Sequence, residues 1–148
     1  MFPVILFLIP GFLEQGGNIG NILSSRLSTK LHLGLIKPKF ALEKEVKIEI
    51  INSYIFALIL FPLLGIMTYV AATLLGIGGL SVGALLGAVL FSGIILITVI
   101  IALAFFVSII SFKLNLDPDN TTLPLIASTA DIVGIICMMA VFHGFGIF

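Results

Sequence analysis

Apolar positions along the chain fall into long runs separated by a few polar intervals. The first run, MFPVILFLIPGFL over 1–13, is too short to span a bilayer by itself. It becomes long enough only if a helix continues through the polar, glycine-containing stretch to about residue 32. Residues 33–49, LGLIKPKFALEKEVKIE, are a mixed-charge connection broken by Pro38, and ALEKEVKIEI can open a helix that leads into the next span. From Ile50 to Phe112 no residue is charged, a length about three times the roughly 20 residues one helical span needs. GIGG at 76–79 divides this run by a tight turn, and a second polar loop at 113–120 precedes a last apolar run. The pattern predicts an all-α, polytopic helical membrane protein with about four transmembrane helices, over 2–32, 50–75, 81–112 and 123–142, forming one membrane-embedded domain. The third is longer than a bilayer requires and is expected to tilt or to extend beyond it. Pro10 and the glycines after it predict a kink or break in the first. Gly79, Gly83 and Gly87 give a GxxxG face in the third.

Composition agrees with this class. The chain is 60% hydrophobic and 9% charged, with a mean hydropathy of +1.33, which excludes a water-soluble domain of this size. Unbroken apolar runs exclude a β-barrel of alternating strands. A net charge of zero argues against nucleic acid as a partner. Cys137 is the single cysteine, so no internal disulfide forms. The N-terminus lacks the basic start and small-residue cleavage site of a signal peptide. Arg26, Lys30, Lys37, Lys39, Lys44 and Lys47 cluster in the first polar loop, and in an up-down order Lys113 joins them on the same side. Positive residues stay inside. The expected location is therefore the cell membrane, with loop 26–49 cytoplasmic and both termini outside.

Candidate chemistry lies in the first and last helices. Glu14, Asn18, Asn21, Ser25, Ser28 and His32 recur at steps of four and three, which places them on one helical face. Gly16, Gly20, Ser24 and Ser28 form a small-residue row beside them, suited to close helix packing. In the last span, Asn120, Pro124, Ser128, Asp131, Ile135 and Met138 share a face. Pro124 is placed in the first turn, with Asp119, Asn120 or Thr121 as the cap. A carboxylate at the depth of Asp131 is costly unless it faces a cavity or partner. The plainer readings are helix-to-helix hydrogen bonding for the polar stripe and for Asp131, and capping for Asp119. Asp117 and Asp119 also form a weak D-x-D signal. Together the two helices supply carboxylates, amides and hydroxyls, a hard-oxygen set suited to Mg2+ or Ca2+ rather than zinc or copper. One chain supplies few such groups, so a symmetric dimer with a cation pathway on its axis is the simplest arrangement. His32 and His143 are expected near opposite membrane surfaces and are not read as ligands.

GGNIGN at 16–21, with Pro10 six residues upstream, resembles the GGN-containing second membrane helix of MgtE-type magnesium transporters. LDPDNTTLPLIASTAD at 116–131 is similar to the last helix of that family, and its PDN form is closest to small archaeal members and eukaryotic solute-carrier relatives. The resemblance implies the MgtE membrane domain without its first helix. In that family five helices per subunit form a homodimer, and the second and fifth line a pore on its axis. Carried over by motif, Asp131 is the expected central carboxylate, and Asn18 and Asn21 are pore-lining amides. Glu14 completes the expected metal set. Ser25, Ser28, Ser128 and Pro124 are expected along the pore, and Asp117, Asp119 and Asn120 at its cytoplasmic mouth.

The departures carry expectations too. The first helix is absent, which implies a truncated start or a separate chain that supplies it. A cytosolic sensing domain is also absent, which assigns gating to the membrane part or to partners. Ile22 replaces a glutamine of the bacterial pattern, and Glu14 is an added acid. The expected function is a divalent-cation transporter or channel for Mg2+, and not an enzyme. A proton-coupled small multidrug-type exporter would instead depend on Glu14, but the chain has no Trp to hold organic cations. A membrane metal enzyme built on Asp117 and Asp119 lacks a nucleophile or base beside them. A non-transporting assembly subunit is the remaining reading.

Overall fold

The computed structural model describes residues 2–77, 81–116 and 118–147, and only the backbone of residues 2, 3, 118 and 119. Its elements are four long helices: α1 Phe2–His32, α2 Lys44–Leu74, α3 Val82–Lys113 and α4 Pro118–Gly144. Three of them, α2, α3 and α4, contain spans long and apolar enough to cross a membrane. α1 is as long as α2 and carries Glu14, Gln15, Asn18 and Asn21 through its middle.

Successive helices are antiparallel. Gly11 of α1 lies against Leu64 of α2, and Gly65 of α2 against Leu86 of α3. Ser111 near the end of α3 meets Thr122 near the start of α4. α1 and α3 therefore run parallel, and they touch along their length: Gly16 meets Leu96, Gly20 meets Ile100, and the buried Ser24 and Ser108 hydroxyls share a hydrogen bond of 2.8 Å. α1 and α3 each pack on all three other helices, whereas α2 and α4 make no contact among the described residues. The cross-section is thus a rhombus with α1 and α3 on its short diagonal.

The core follows that diagonal. Phe12 and Phe61 are fully buried with ring centroids 5.0 Å apart and belong to one core cluster with Leu8, Leu23, Leu96, Ile97, Ile100 and Ile126. The expected small-residue row of α1 is buried throughout at Gly16, Gly20, Ser24 and Ser28. A methyl group on Gly20 would collide with Ile100 and Ile126, so backbone proximity here depends on the absence of a side chain. Outward positions of α2 and α4 such as Ile59, Met67 and Ile136 are more than half exposed, as lipid-facing residues would be.

Each helix stops in the same way. Gly34, Gly76, Asn115 and Gly146 take positive φ, and paired backbone bonds follow, such as Gly34 N–H to Leu31 O and Leu35 N–H to Lys30 O. This pattern caps the last carbonyls of a helix.

Several expectations are corrected. Of the kink or break expected at Pro10 and the glycines, the break does not occur: α1 continues through them as one helix. α4 already begins at Pro118, so Asn120 and Thr121 lie inside its first turn and Pro124 lies deeper, inside the helix. The side chain of Asp119 lies outside the described residues, as do Asp117 and Gly79. Among the described residues, Gly83 and Gly87 of the GxxxG face pack against no other helix: Gly83 approaches Ser81 of its own N-terminus, and Gly87 meets the Phe145 ring beyond α4. The close approach on α3 is instead at Gly93, which receives Phe61.

Candidate functional site

At Gly17, α1 and α4 meet without a large side chain between them. A Cβ placed on Gly17 would lie 3.7 Å from Ala127 Cα and 3.9 Å from Ala130 Cβ. Gly134 similarly receives Leu13. Residues three and four apart on a helix are surface neighbours, so Glu14 and Asn21 flank Gly17, while Pro124 and Asp131 flank Ala127. The polar groups of both helices thus border one helix–helix contact.

Exposure separates these groups. Glu14, Asn18 and Ser25 are exposed on α1, and Pro124, Ser128 and Asp131 on α4. Asn120 is exposed at the start of α4. Asn21 is half-buried at the α1–α4 seam, and its Oδ1 is buried with no hydrogen-bond partner among the described residues. Ser28 is buried and its carbonyl lies 2.8 Å from His32 Nδ1. Met138 is also buried, so the outward polar face of α4 ends before it. Ser128 donates to the Pro124 carbonyl at 2.8 Å, which satisfies its hydroxyl hydrogen and leaves oxygen lone pairs facing outward.

Depth matters as much as exposure. Asp131 stands midway along Pro118–Gly144, about 20 Å from either end at 1.5 Å per residue. Among the described residues, no three His, Cys, Asp or Glu side chains gather closely enough to hold a metal ion. Among the described residues, a single chain therefore forms no closed cage of such side chains.

The other charged cluster lies between the end of α1 and the start of α2. Lys30 Nζ contacts Glu45 Oε2 at 2.7 Å and Glu49 Oε1 at 2.9 Å, and Arg26 Nη1 contacts Glu49 Oε2 at 3.2 Å. Lys113 at the end of α3 sits 4.8 Å over the Phe40 ring, so the bases of both polar loops collect at one end of the bundle. The mixed-charge stretch at 33–49 reads as a solvated face with no chemistry assigned, and the structure shows instead that it contributes an interhelical ion network. The signal was present as matched spacing: Arg26 and Lys30 are four residues apart, as are Glu45 and Glu49.

The family described as MgtE, divalent cation transporter, matches residues 9–141. The chain belongs to this family. No curated protein and no solved structure matches it. As an MgtE-family member it is a transporter of divalent cations, not an enzyme, and its apolar helices place it in a lipid bilayer. The MgtE match runs from Ile9 to Val141, so it includes both polar helices and the two spans between them.

Proposed function

We propose that this chain moves Mg2+ across the cell membrane along a path lined by α1 and α4 on the axis of a homodimer. The observation that supports this most strongly is the outward exposure of Asp131 at the middle of α4. An ionised carboxylate presented to lipid at that depth costs about 3 kcal/mol or more. Covering the face with a second copy removes the group from lipid without closing it to water.

Two-fold symmetry brings two Asp131 and two Glu14 carboxylates toward one axis, together with the amides of Asn18 and Asn21. Mg2+ dehydrates reluctantly and is commonly held by one or two carboxylates with several waters retained. The α1–α4 seam suits that mode, because Gly17, Ala127 and Ala130 keep its floor free of bulk. Ser25, Ser128 and Pro124 would extend the path toward the basic end, with Asn120 beside its mouth. That end faces the cytoplasm by the positive-inside rule.

The test is Mg2+ uptake into liposomes holding the purified chain, compared with Asp131→Asn. The proposal expects uptake that the substitution abolishes while the dimer remains folded. Uptake unaffected by the substitution would refute the pathway.

A further inference from the structure

At its basic end, the outward face of α1 opens into a pocket of about 360 Å3 between α1 and α2, with Ser25, Arg26, Thr29, Lys30 and Glu49 in its walls. Ser25 and Thr29 are exposed and continue the strip that carries Glu14 and Asn18. The pocket therefore joins the face proposed above to line the cation path, and the inference below rests on that reading.

The four charges around the pocket balance in number but not in position. Lys30 is spent on two carboxylates at 2.7 and 2.9 Å, and its side chain is 18% exposed. Glu49 is 8% exposed and already has Lys30 as counter-ion. Arg26 reaches Glu49 only through Nη1, at 3.2 Å, and its side chain is 47% exposed. A guanidinium carries five N–H donors and stays charged at any physiological pH. The acids lie on α2, and Arg26 shares the pocket wall with Ser25.

We infer that Arg26 is a fixed positive charge at the basic-end mouth that restrains divalent-cation entry from that side. Glu49 acts as a positioning residue that tethers it there. A divalent ion passing within about 8 Å of a unit charge in a water-filled mouth meets a repulsion that lowers its local concentration about twofold at physiological ionic strength and up to about fivefold at low salt. The effect is one-sided, because the other mouth lies a full helix length away.

The experiment measures Mg2+ uptake in right-side-out and inside-out membrane vesicles carrying the full chain, Arg26→Gln, Arg26→Lys or Asp131→Asn. Arg26→Gln should lower the half-saturating Mg2+ concentration about twofold at physiological ionic strength, and up to about fivefold at low salt, where the basic end faces the bath, and leave the opposite orientation unchanged. Arg26→Lys should behave as the parent chain, since it keeps the charge. Glu49 retains Lys30 in both variants, so the fold should persist. A null or symmetric effect of Arg26→Gln, or an Arg26→Lys that matches it, would overturn the charge barrier. If Asp131→Asn blocks uptake in the same series, only the barrier falls. If Asp131→Asn transports normally, the pathway reading falls and the barrier with it.

Discussion

Gly17 of α1 rests against the backbone of Ala127 in α4, where a Cβ on the glycine would stand 3.7 Å from Ala127 Cα. This contact fixes the seam beside which both polar sets lie. It also sets how far apart the Glu14 and Asp131 flanks sit, because no larger side chain separates the two helices there.

The glycines of α1 should respond to added methyl groups position by position. Gly17→Ala places its Cβ at ordinary contact distance and should change stability little. Gly20→Ala drives its Cβ into Ile100 and Ile126 and should cost about 1–3 kcal/mol, the usual range for overpacking. Thermal unfolding of the two variants in detergent compares them directly, and a Gly20→Ala loss no larger than that of Gly17→Ala would show that Gly20 is not the tightly packed position.

Glu14 and Asp131 should differ in kind. Glu14 flanks the same seam but lies off the centre of α4's span, so Glu14→Gln should raise the half-saturating Mg2+ concentration about three- to tenfold while leaving transport intact. Concentration-dependent uptake measures it. Complete loss of activity, together with proton-coupled uptake of an organic cation, would favour an exporter centred on Glu14.

The ion network should be worth measurable stability. Lys30→Met removes both carboxylate contacts of Lys30 and leaves the buried Glu49 with Arg26 alone. The expected cost is about 1–3 kcal/mol, in the range for hydrogen bonds to charged groups and reduced by the exposure of Glu45. A double-mutant cycle with Glu49→Gln should show positive coupling that declines as salt is raised. Zero coupling at low salt would mean that the two helices are held by apolar packing only.

Much of the fold could be read in advance, for identifiable reasons. Charge-free sequence from Ile50 to Phe112 admits little besides membrane helices. Gly76, in the expected GIGG turn, marks the end of α2, whereas the same stop at Gly34, Asn115 and Gly146 is seen only in the backbone. The polar stripe of α1 was legible as a face but not in its detail. Its alternating steps of three and four swing by about 40–60° around the helix axis, which carries Asn21 and Ser28 to the flank turned toward α4. Periodicity has no information about which flank a neighbour covers, so it could not separate the exposed Glu14, Asn18 and Ser25 from the buried Ser28. The start of α4 was misplaced because DPDNTT offers several capping residues, and only the backbone shows that the helix begins at Pro118.

The most direct test of the central claim asks whether the α1–α4 face sees water or lipid. In a Cys137→Ala background, Ser128→Cys and Ile136→Cys place single thiols on two exposed faces of α4, the first beside the seam and the second among apolar residues. A charged, membrane-impermeant thiol reagent should modify the Ser128→Cys variant, block Mg2+ uptake, and be slowed by excess Mg2+. The Ile136→Cys variant should neither react nor lose uptake. An unreactive Ser128→Cys variant with normal uptake would contradict a path lined by these helices.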